Sequence, residues 1–355
     1  MSSTAKRICA ITASLIWAAA LIPGVGCGGR NAAPLDTTDT SVPLAELSER
    51  AAERSEGASN AAKQFAPEML KAGAHLVAKS RQTENEAEAR ELIARADAYI
   101  RGAEAVADAV QSSRTLRFPA DRSIGVVSVS AWGNLNWREL GPAQGNVTVE
   151  AEMMVYLNMA RDAGDADAKL LPDLGPGAIQ YLAVGDSAVT TEGLAVISEI
   201  SGLRDLSLSR MDGLTDGHMP VVADMLALRH LNLMGNPLTD DGIAALTEMP
   251  ALEEIALQGP SITDRSAFLL SGMPSLMTFL NVQTSLTDVG VEYLARHGGL
   301  RRLWLSGGAI TDQSFESLAG MKSLKELALM TTSVRGETVN RLRQALPECS
   351  VDTTS

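Results

Sequence analysis

The strongest constraint on the fold of this chain is a repeat of almost constant length in its C-terminal half. Successive units are 24 residues long, with one unit of 25, and each begins with leucine or isoleucine. The first residues of the seven units are Ile179, Leu203, Leu228, Leu252, Leu276, Leu300 and Leu324. A constant period of this length is typical of a solenoid, in which each unit packs only on its neighbours. The sequence therefore predicts a stack of about seven similar units.

Each unit contains one strand-like and one helix-like segment. In the unit that begins at Leu228, Leu231 and Leu233 are two residues apart, as on one face of a strand. Ile243 and Leu246 are three residues apart, as on one face of a helix. A Thr-Asp pair precedes the helical segment at 215–216, 239–240, 263–264, 287–288 and 311–312. Because Thr and Asp oxygens accept hydrogen bonds from the first amides of a helix, we expect each pair to cap its own helix.

The phrase L-x-x-L-x-L-x-x-x-x-[LI]-T-D over residues 179–346 resembles leucine-rich repeat proteins with short helices, related to ribonuclease-inhibitor-like repeats. The resemblance implies the α/β fold class: a right-handed leucine-rich repeat solenoid with a parallel sheet and short helices. An all-helical segment and a small β-unit would precede it. The whole arrangement is also similar to lipidated or secreted leucine-rich repeat proteins of planctomycete-type bacteria. Thr190-Thr191 and Arg335-Gly336 replace Thr-Asp in the end units, as expected of capping repeats.

Two residues of the solenoid depart from the apolar pattern. Asn281 occupies an inward position, where an unpaired amide would cost about 1–3 kcal/mol. We expect either that Asn281 is hydrogen-bonded or that a bulge turns Leu280 inward instead. Cys349 falls where the strand of a further unit would begin, which predicts a buried end-cap residue rather than a nucleophile.

The first residues have the features of a secretory signal peptide. Lys6 and Arg7 precede fifteen uncharged residues, and small residues lead into Cys27. We interpret residues 1–26 as the signal peptide. The small residues before Cys27 resemble a bacterial lipobox, which implies lipidation of Cys27 and anchoring to a membrane of the cell envelope. Secretion without lipid and retention as an uncleaved anchor are the alternatives.

Two segments connect the signal peptide to the β-unit. Residues 27–43 are small, polar and proline-rich, which predicts a lipid-anchored flexible tether. Residues 44–116 are rich in Ala and Glu and predict two or three helices, with breaks near 57–60, Pro67 and Gly73. The sequence leaves open whether these helices pack as a hairpin, on a partner or on the rest of the chain. A solvated spacer is the simplest interpretation.

Residues 117–176 predict the small β-unit. β-Branched residues alternate with polar ones between Gly and Asn turns, which favours three or four strands. We expect Trp132 and Trp137 to form the core of this unit. Together with residues 170–176, the unit would cover the N-terminal edge of the solenoid (177–355), because an open sheet edge exposes unpaired backbone groups.

The outward strand residues of the solenoid define the candidate binding site. Seven strands about 4.8 Å apart give a concave face about 30 Å long, which accommodates a protein or peptide partner. The predicted contact residues, apolar side chains and a Trp beside charged groups as in protein-binding hot spots, are His230, Met234, Glu254, Leu280, Val282, Arg302, Trp304, Glu326 and Met330. No site would exist if the N-terminal helices covered this patch or if Trp304 lay flat against Leu280.

Composition and motifs argue against other classes of function. The chain has 30 Lys and Arg against 43 Asp and Glu, a net charge of -13, which disfavours nucleic-acid binding. The sequence contains no phosphate-binding loop, zinc motif or nucleophile elbow. We therefore predict no catalytic residues, no cofactor, no metal and no small-molecule substrate. The sequence predicts a non-catalytic extracytoplasmic module that binds an unknown protein partner. The alternative is a structural envelope protein that assembles through its helical segment.

Overall fold

The computed structural model describes residues 32–307 and 309–354. The predicted signal peptide and Cys27 lie outside the described residues. Within the described ranges, no helix combines the length and hydrophobicity needed to cross a bilayer.

Four helices come first in the described chain: α1 (Leu44–Glu56), α2 (Asn60–Phe65), α3 (Pro67–Ser80) and α4 (Glu86–Val110). The β-unit contains β1 (Arg114–Arg117), β2 (Gly125–Ala131), β3 (Arg138–Pro142), β4 (Asn146–Val149), β5 (Met153–Met159) and α5 (Asp165–Ala168). The solenoid strands are β6 (Tyr181–Ala183), β7 (Asp205–Ser207), β8 (His230–Asn232), β9 (Glu254–Gln258), β10 (Thr278–Val282), β11 (Arg302–Ser306), β12 (Glu326–Met330) and β13 (Ser350–Thr354).

Helical segments alternate with these solenoid strands. They are α6 (Thr191–Ile197), α7 (Met219–Ala223), α8 (Asp240–Ala245), α9 (Asp264–Ser271), α10 (Asp288–Ala295), α11 (Phe315–Gly320) and α12 (Gly336–Ala345). Short 3₁₀ turns occupy Pro172–Leu174, Asp216–His218 and Asp312–Ser314. The alternation of short strands and short helices is the one that the repeat predicts.

One eleven-stranded sheet runs through the solenoid and the β-unit. Its order is β13 to β5 in reverse sequence, followed by β2 and β3, while β1 and β4 form a separate antiparallel pair. All pairs from β5 to β13 are parallel. Strand β5 thus pairs with the first solenoid strand and covers its N-terminal edge. The α/β solenoid with a parallel sheet is confirmed.

The solenoid core lies between this sheet and the repeat helices. Leu231 and Leu233 point inward from β8, and Ile243 and Leu246 point back from the helical side. All four side chains are buried. Each such side chain contributes about 1.5–3 kcal/mol to folding, so the regular column of apolar residues accounts for much of the stability.

A ladder of Asp-to-Thr hydrogen bonds joins neighbouring units on the helical side. Thr239 donates to the two carboxylate oxygens of Asp216, from its amide at 2.9 Å and from its hydroxyl at 2.6 Å. The same pair of bonds recurs from Thr263 to Asp240 and from Thr287 to Asp264. Each Thr hydroxyl also caps its own helix, as expected. The Asp does not cap its own helix, because its carboxylate binds the following unit.

The ladder explains which residue stands three positions after each Thr. A Cβ atom on Gly242 would lie 2.3 Å from Asp216 Oδ1, and one on Gly290 would lie 2.4 Å from Asp264 Oδ1. Where the position holds serine, its hydroxyl donates to the same carboxylate, as Ser266 does to Asp240. Burial alone would raise the pKa of Asp240, but hydrogen bonds from Ser266 and Thr263 outweigh it and hold this pKa below its usual value.

The ladder is interrupted once. Thr191 stands where the next unit would need an aspartate. The Thr215 amide instead donates to His218 Nδ1 at 3.2 Å, and the Thr215 hydroxyl lies 3.1 Å from the same nitrogen. His218 takes the position that is Gly, Ser or, in the last unit, Thr338 elsewhere in the solenoid. Before the interruption, Asp165 in α5 binds the amide and hydroxyl of Thr190. The β-unit is therefore joined to the first repeat by the same type of bond.

The helical segment packs against the solenoid, along the edge where the strands begin. Glu68 in α3 forms a buried ion pair with Arg204, 2.7 Å apart. The hydroxyl of Tyr99 in α4 donates to the carbonyl of Asp224 (2.8 Å) and accepts from the amide of Leu226 (3.1 Å). Two of the alternatives left open by the sequence are observed together: α3 packs on α4 as a hairpin, and both helices pack on the rest of the chain. The segment is not a solvated spacer.

Several boundaries in the N-terminal half differ from the prediction. Gly73 does not break a helix but lies inside α3, where a Cβ atom would come within 2.7 Å of Ile100 Cγ1. The glycine therefore permits close packing of α3 on α4. The helical segment ends at Val110 rather than at residue 116, because residues 114–117 pair with β4 as strand β1.

The described part of the predicted tether is bound to the helices. The amide of Leu35 donates to Asp97 (3.1 Å), and the Arg90 guanidinium donates to the backbone carbonyls of Thr37, Asp39 and Val42. These bonds hold residues 35–42 against α4. A flexible tether is therefore the wrong description of residues 35–42.

The two tryptophans of the β-unit do not form its core. Trp132 packs edge-on against Phe65 of α2, with ring centroids 5.1 Å apart, and lies 5.3 Å from the Arg204 guanidinium. It belongs to the interface between the helices and the solenoid. Trp137 lies on the outward side of the sheet, against Tyr156 and Tyr181. Smaller residues fill the core instead: Leu116, Ile124, Val127, Val129, Val149, Val155 and Leu157.

The ladder predicts how the Gly position responds to substitution. Gly242→Ala should lower the free energy of unfolding by about 1–3 kcal/mol, because the new methyl overlaps the Asp216 carboxylate. Gly242→Ser should cost less than Gly242→Ala, because the hydroxyl donates to that carboxylate. Urea unfolding followed by circular dichroism measures both. Gly217→Ala is the matched control, since its Cβ would have no neighbour closer than 3.9 Å. Equal losses for Ala and Ser at 242 would contradict the ladder.

Candidate binding face

The parallel register aligns the outward residues of the sheet in rows that cross the strands. The first row contains Tyr156, Tyr181, Asp205, His230, Glu254, Thr278, Arg302, Glu326 and Ser350. The second contains Asn158, Ala183, Ser207, Asn232, Ala256, Leu280, Trp304, Ala328 and Asp352. We call this surface, the side of β5–β13 away from the repeat helices, the sheet face.

Four of the five predicted apolar contact residues lie together on strands β10–β12. Leu280 and Trp304 are neighbours in the second row, and Val282 and Met330 follow two residues after the second row on β10 and β12. All four side chains are half-buried, so each keeps an accessible part. The small residues Ala256 and Ala328 flank Leu280 and Trp304 in the row. The larger side chains therefore stand out from the sheet.

Charged residues of the first row orient this apolar patch. The Trp304 indole donates its Nε1 hydrogen to Glu326 Oε1 at 2.7 Å. Arg302 donates to Thr278 Oγ1 (3.0 Å) and reaches across that strand to Glu254 Oε2 (2.8 Å). Because its indole hydrogen bond is satisfied, Trp304 is held in one orientation and keeps part of its apolar surface exposed.

The remaining two predicted residues lie further away, on and just after β8. His230 binds Asp205 through Nδ1 at 2.8 Å and does not border the patch. Met234 follows Asn232, whose side chain accepts a hydrogen bond from the Met234 amide at 3.0 Å. The structure therefore brings seven of the nine predicted residues into one group, with these two on its N-terminal side.

The N-terminal helices leave the patch uncovered. Their polar contacts with the solenoid involve Arg204, Asp224, Leu226, Glu248 and Ser275, which all lie in turns between a repeat helix and the next strand. None of these residues belongs to the rows of the sheet face. Within the described part of the chain, the helices therefore do not bury Trp304.

Polar residues in an unusual backbone conformation border the patch where the strands end. Gln283 and Thr331 have positive φ angles of 50°, which is rare for residues other than glycine. Gln258 Nε2 donates to Gln283 Oε1 at 3.2 Å, and the hydroxyls of Ser306 and Thr331 are 3.1 Å apart. An amide and hydroxyl rim thus lies on one side of the patch, and the charged first row lies on the other.

Asn281 is the inward neighbour of this patch. It is fully buried, and neither its amide nitrogen nor its carbonyl oxygen has a hydrogen-bond partner among the described residues. Leu280 points outward, so both expectations for this position were wrong: Asn281 is not hydrogen-bonded, and no bulge replaces it. The pairing of β10 with β11 covers only residues 278–280, although both strands continue.

Sequence reasoning missed an aromatic cluster at the other end of the sheet face. Tyr156 and Tyr181 are paired in the first row, and Trp137 packs on them with ring centroids 5.7 and 4.7 Å away. Burial raises the pKa of both tyrosines. Tyr181 could have been found as the outward residue of the first repeat. Tyr156 precedes the repeat, and no periodic signal placed it or Trp137.

The histidine and cysteine side chains elsewhere in the solenoid, which could in principle react or bind a metal, take part in structural contacts. His297 Nε2 lies 2.7 Å from the Met273 carbonyl, and His218 binds Thr215. Cys349 is half-buried at the last strand rather than fully buried as expected, and burial raises the pKa of its thiol. Within the described part of the chain, no three His, Cys, Asp or Glu residues are grouped as metal ligands would be.

The comparison with known families agrees with this geometry. The family model described as Leucine Rich repeat matches residues 227–246. The solenoid is built of leucine-rich repeats. The match spans the end of one repeat and most of the next, including the Thr-Asp pair at 239–240.

Several solved structures are similar to this leucine-rich repeat chain. An internalin C2 from Listeria monocytogenes is 18% identical, with 54% of this chain and 84% of that chain covered and a TM-score of 0.38. An internalin (inlF) from the same organism is 15% identical, with 53% and 65% covered and a TM-score of 0.36. A leucine-rich repeat protein of Leptospira interrogans is 18% identical, with 49% and 50% covered and a TM-score of 0.31. No curated protein matches the sequence.

Asn236 and Asn281 are both buried, and we expect opposite effects on stability when each is replaced by leucine. Asn281→Leu should raise the free energy of unfolding by about 1–3 kcal/mol, because it removes a buried amide without partners. Asn236→Leu should lower it by a similar amount, because Asn236 donates to the carbonyls of Leu208 and Leu233 and accepts from the Met211 amide. Urea unfolding measures both. A loss of stability in Asn281→Leu would show that the amide has a partner, such as an interior water.

Proposed function

We propose that this protein is a non-catalytic, extracytoplasmic module that binds a protein partner through its sheet face. The observation that carries the proposal is the half-exposed apolar patch of Leu280, Val282, Trp304 and Met330. Apolar side chains around a tryptophan, bordered by charged and amide groups, have the composition of a protein-binding hot spot. A leucine-rich repeat supplies a rigid extended surface for such contacts.

Two observations support a role in binding rather than catalysis. The repeated aspartates that follow the capping threonines are engaged with threonines of the next unit. The ion pair between Glu254 and Arg302 and the bond from Trp304 to Glu326 hold the first row in place. These contacts orient the side chains of the surface.

The alternative, a structural protein that assembles through its helical segment, is less well supported. The apolar residues of α3 and α4 pack against each other and against Leu226 and Ala227 of the solenoid. Little apolar helix surface is then available for self-association. We therefore favour partner binding at the sheet face over lateral assembly.

The proposal places the protein at a membrane of the cell envelope through a lipid on Cys27. The signal-like sequence and the small residues before Cys27 support this. Leu35 is bound to Asp97, and Cys27 lies eight positions before Leu35 in the sequence. Such a segment spans at most about 29 Å. A lipid on Cys27 would thus keep the helical segment close to the membrane surface.

Trp304→Ala tests the binding site. We expect the affinity for a partner purified from the native envelope to fall by about 30-fold or more, the loss typical of a hot-spot tryptophan. Isothermal titration of the purified full chain against that partner measures the change. Phe268→Ala is the matched control, because Phe268 is 56% exposed but lies on α9, on the helical side. Equal affinities for the two variants and the unchanged protein would reject the sheet face as the site.

The intact mass of protein purified from the native membrane fraction tests the anchor. We expect a mass of residues 27–355 plus acyl chains, and we expect Cys27→Ala to abolish both the lipid and the membrane association. A mature protein cleaved elsewhere, without lipid and in the soluble fraction, would contradict the anchor while leaving the binding site untouched.

A further inference from the structure

The aromatic cluster of Trp137, Tyr156 and Tyr181 lies on the same face as the proposed binding patch. Tyr156 and Tyr181 share the first row with Arg302 and Glu326. All three aromatic side chains of the cluster are half-buried, so each presents part of its surface to solvent. Trp137 comes from the connection between β2 and β3, which brings its ring over the two tyrosines. We call this group the aromatic cluster.

The charges next to the aromatic cluster favour a cationic ligand. Asp205 follows Tyr181 in the first row, and its charge acts on both tyrosines. Its Oδ2 is bound to His230 Nδ1, and its Oδ1 forms no bond with another described residue. Arg204 and Arg229 also lie near Tyr181, but their charges are paired with Glu68 and Glu253. A guanidinium or ammonium group is attracted both by aromatic faces and by a nearby carboxylate.

The distance between the aromatic cluster and the apolar patch determines how long a ligand must be to contact both. Tyr181 lies on β6, Leu280 on β10 and Trp304 on β11, so four to five strand intervals separate the aromatic cluster from the patch. At about 4.8 Å per interval, the distance is about 19–24 Å. An extended polypeptide advances about 3.3–3.6 Å per residue, so six or seven residues cover it.

The surface between the two groups is polar and has small side chains. The second row contains Ser207, Asn232 and Ala256 between β6 and β10. A chain crossing this part of the face would meet hydroxyl, amide and methyl groups rather than bulky residues. The described residues of the second row therefore place no bulky side chain in the path of a continuous segment.

We propose that Trp137, Tyr156 and Tyr181 form a second anchoring site, which takes an arginine or lysine side chain of the protein partner. The partner segment runs across the strands in an extended conformation and places an apolar residue, six or seven positions away, on the patch of Leu280 and Trp304. This inference rests on the proposed function and adds to it the chemistry of the partner: one basic and one apolar anchor at a defined spacing.

A displayed library of random twelve-residue peptides, selected on the purified full chain, tests the inference. We expect selected peptides to carry Arg or Lys six or seven positions from Leu, Met, Phe or Trp. Fluorescence anisotropy of a selected synthetic peptide then gives its affinity. Replacing its arginine by neutral citrulline should weaken binding about tenfold. Tyr181→Ala should remove this arginine preference, whereas Tyr181→Phe should retain it.

Trp137→Ala provides a variant that does not alter a strand, because Trp137 lies in a connection. It should reproduce the effect of Tyr181→Ala with an unchanged melting temperature, and Phe268→Ala should leave peptide binding unchanged. If peptides bind through Trp304 but are indifferent to Trp137, Tyr181 and citrulline, the second site is rejected and the proposed function stands. If no peptide is selected, the extended-segment inference is rejected, and the Trp304→Ala titration decides the proposed function separately.

Discussion

Each repeat helix in the main part of the solenoid begins at a threonine that donates two hydrogen bonds to an aspartate of the preceding unit. Two bonds to one carboxylate define the distance and the relative orientation of neighbouring units. The parallel strands on the opposite side follow in constant register, with Leu280 beside Trp304 and Trp304 beside Ala328. The rows of the sheet face therefore depend on a bond on the far side of the molecule.

The helical segment depends on the solenoid in turn. The ion pair of Glu68 and Arg204 is buried, and a buried pair contributes little net stability because both charges lose hydration. Removal of one partner is costly, so the pair acts mainly by requiring one docked position. Tyr99 adds a donor and an acceptor at the Asp224–Leu226 turn. The helices thereby cover the edge where the strands begin and leave the sheet face accessible.

The repeat period predicted the solenoid and the second row of the sheet face, because a constant period places equivalent residues in register. It could not predict where each aspartate binds. The acceptor and the donor lie 23 residues apart, as in Asp216 and Thr239, and local capping rules consider only one helix. The aromatic cluster was missed for a related reason, since Tyr156 and Trp137 precede the repeat. Asn281 occupies an inward strand position, where the other units have apolar residues. Only the structure shows that its side-chain amide has no partner among the described residues.

The hydrogen-bond ladder also determines how this face can change in size. From Asp216 to Thr311, every unit offers the same acceptor to the next unit and the same donor to the previous one. Loss or duplication of one 24-residue unit in this part would join matching groups and change the face by a single strand, about 4.8 Å. The interruption between Thr191 and Thr215 lacks this match. The distance between the aromatic cluster and the patch is therefore adjustable in discrete steps, and only on the C-terminal side of that interruption.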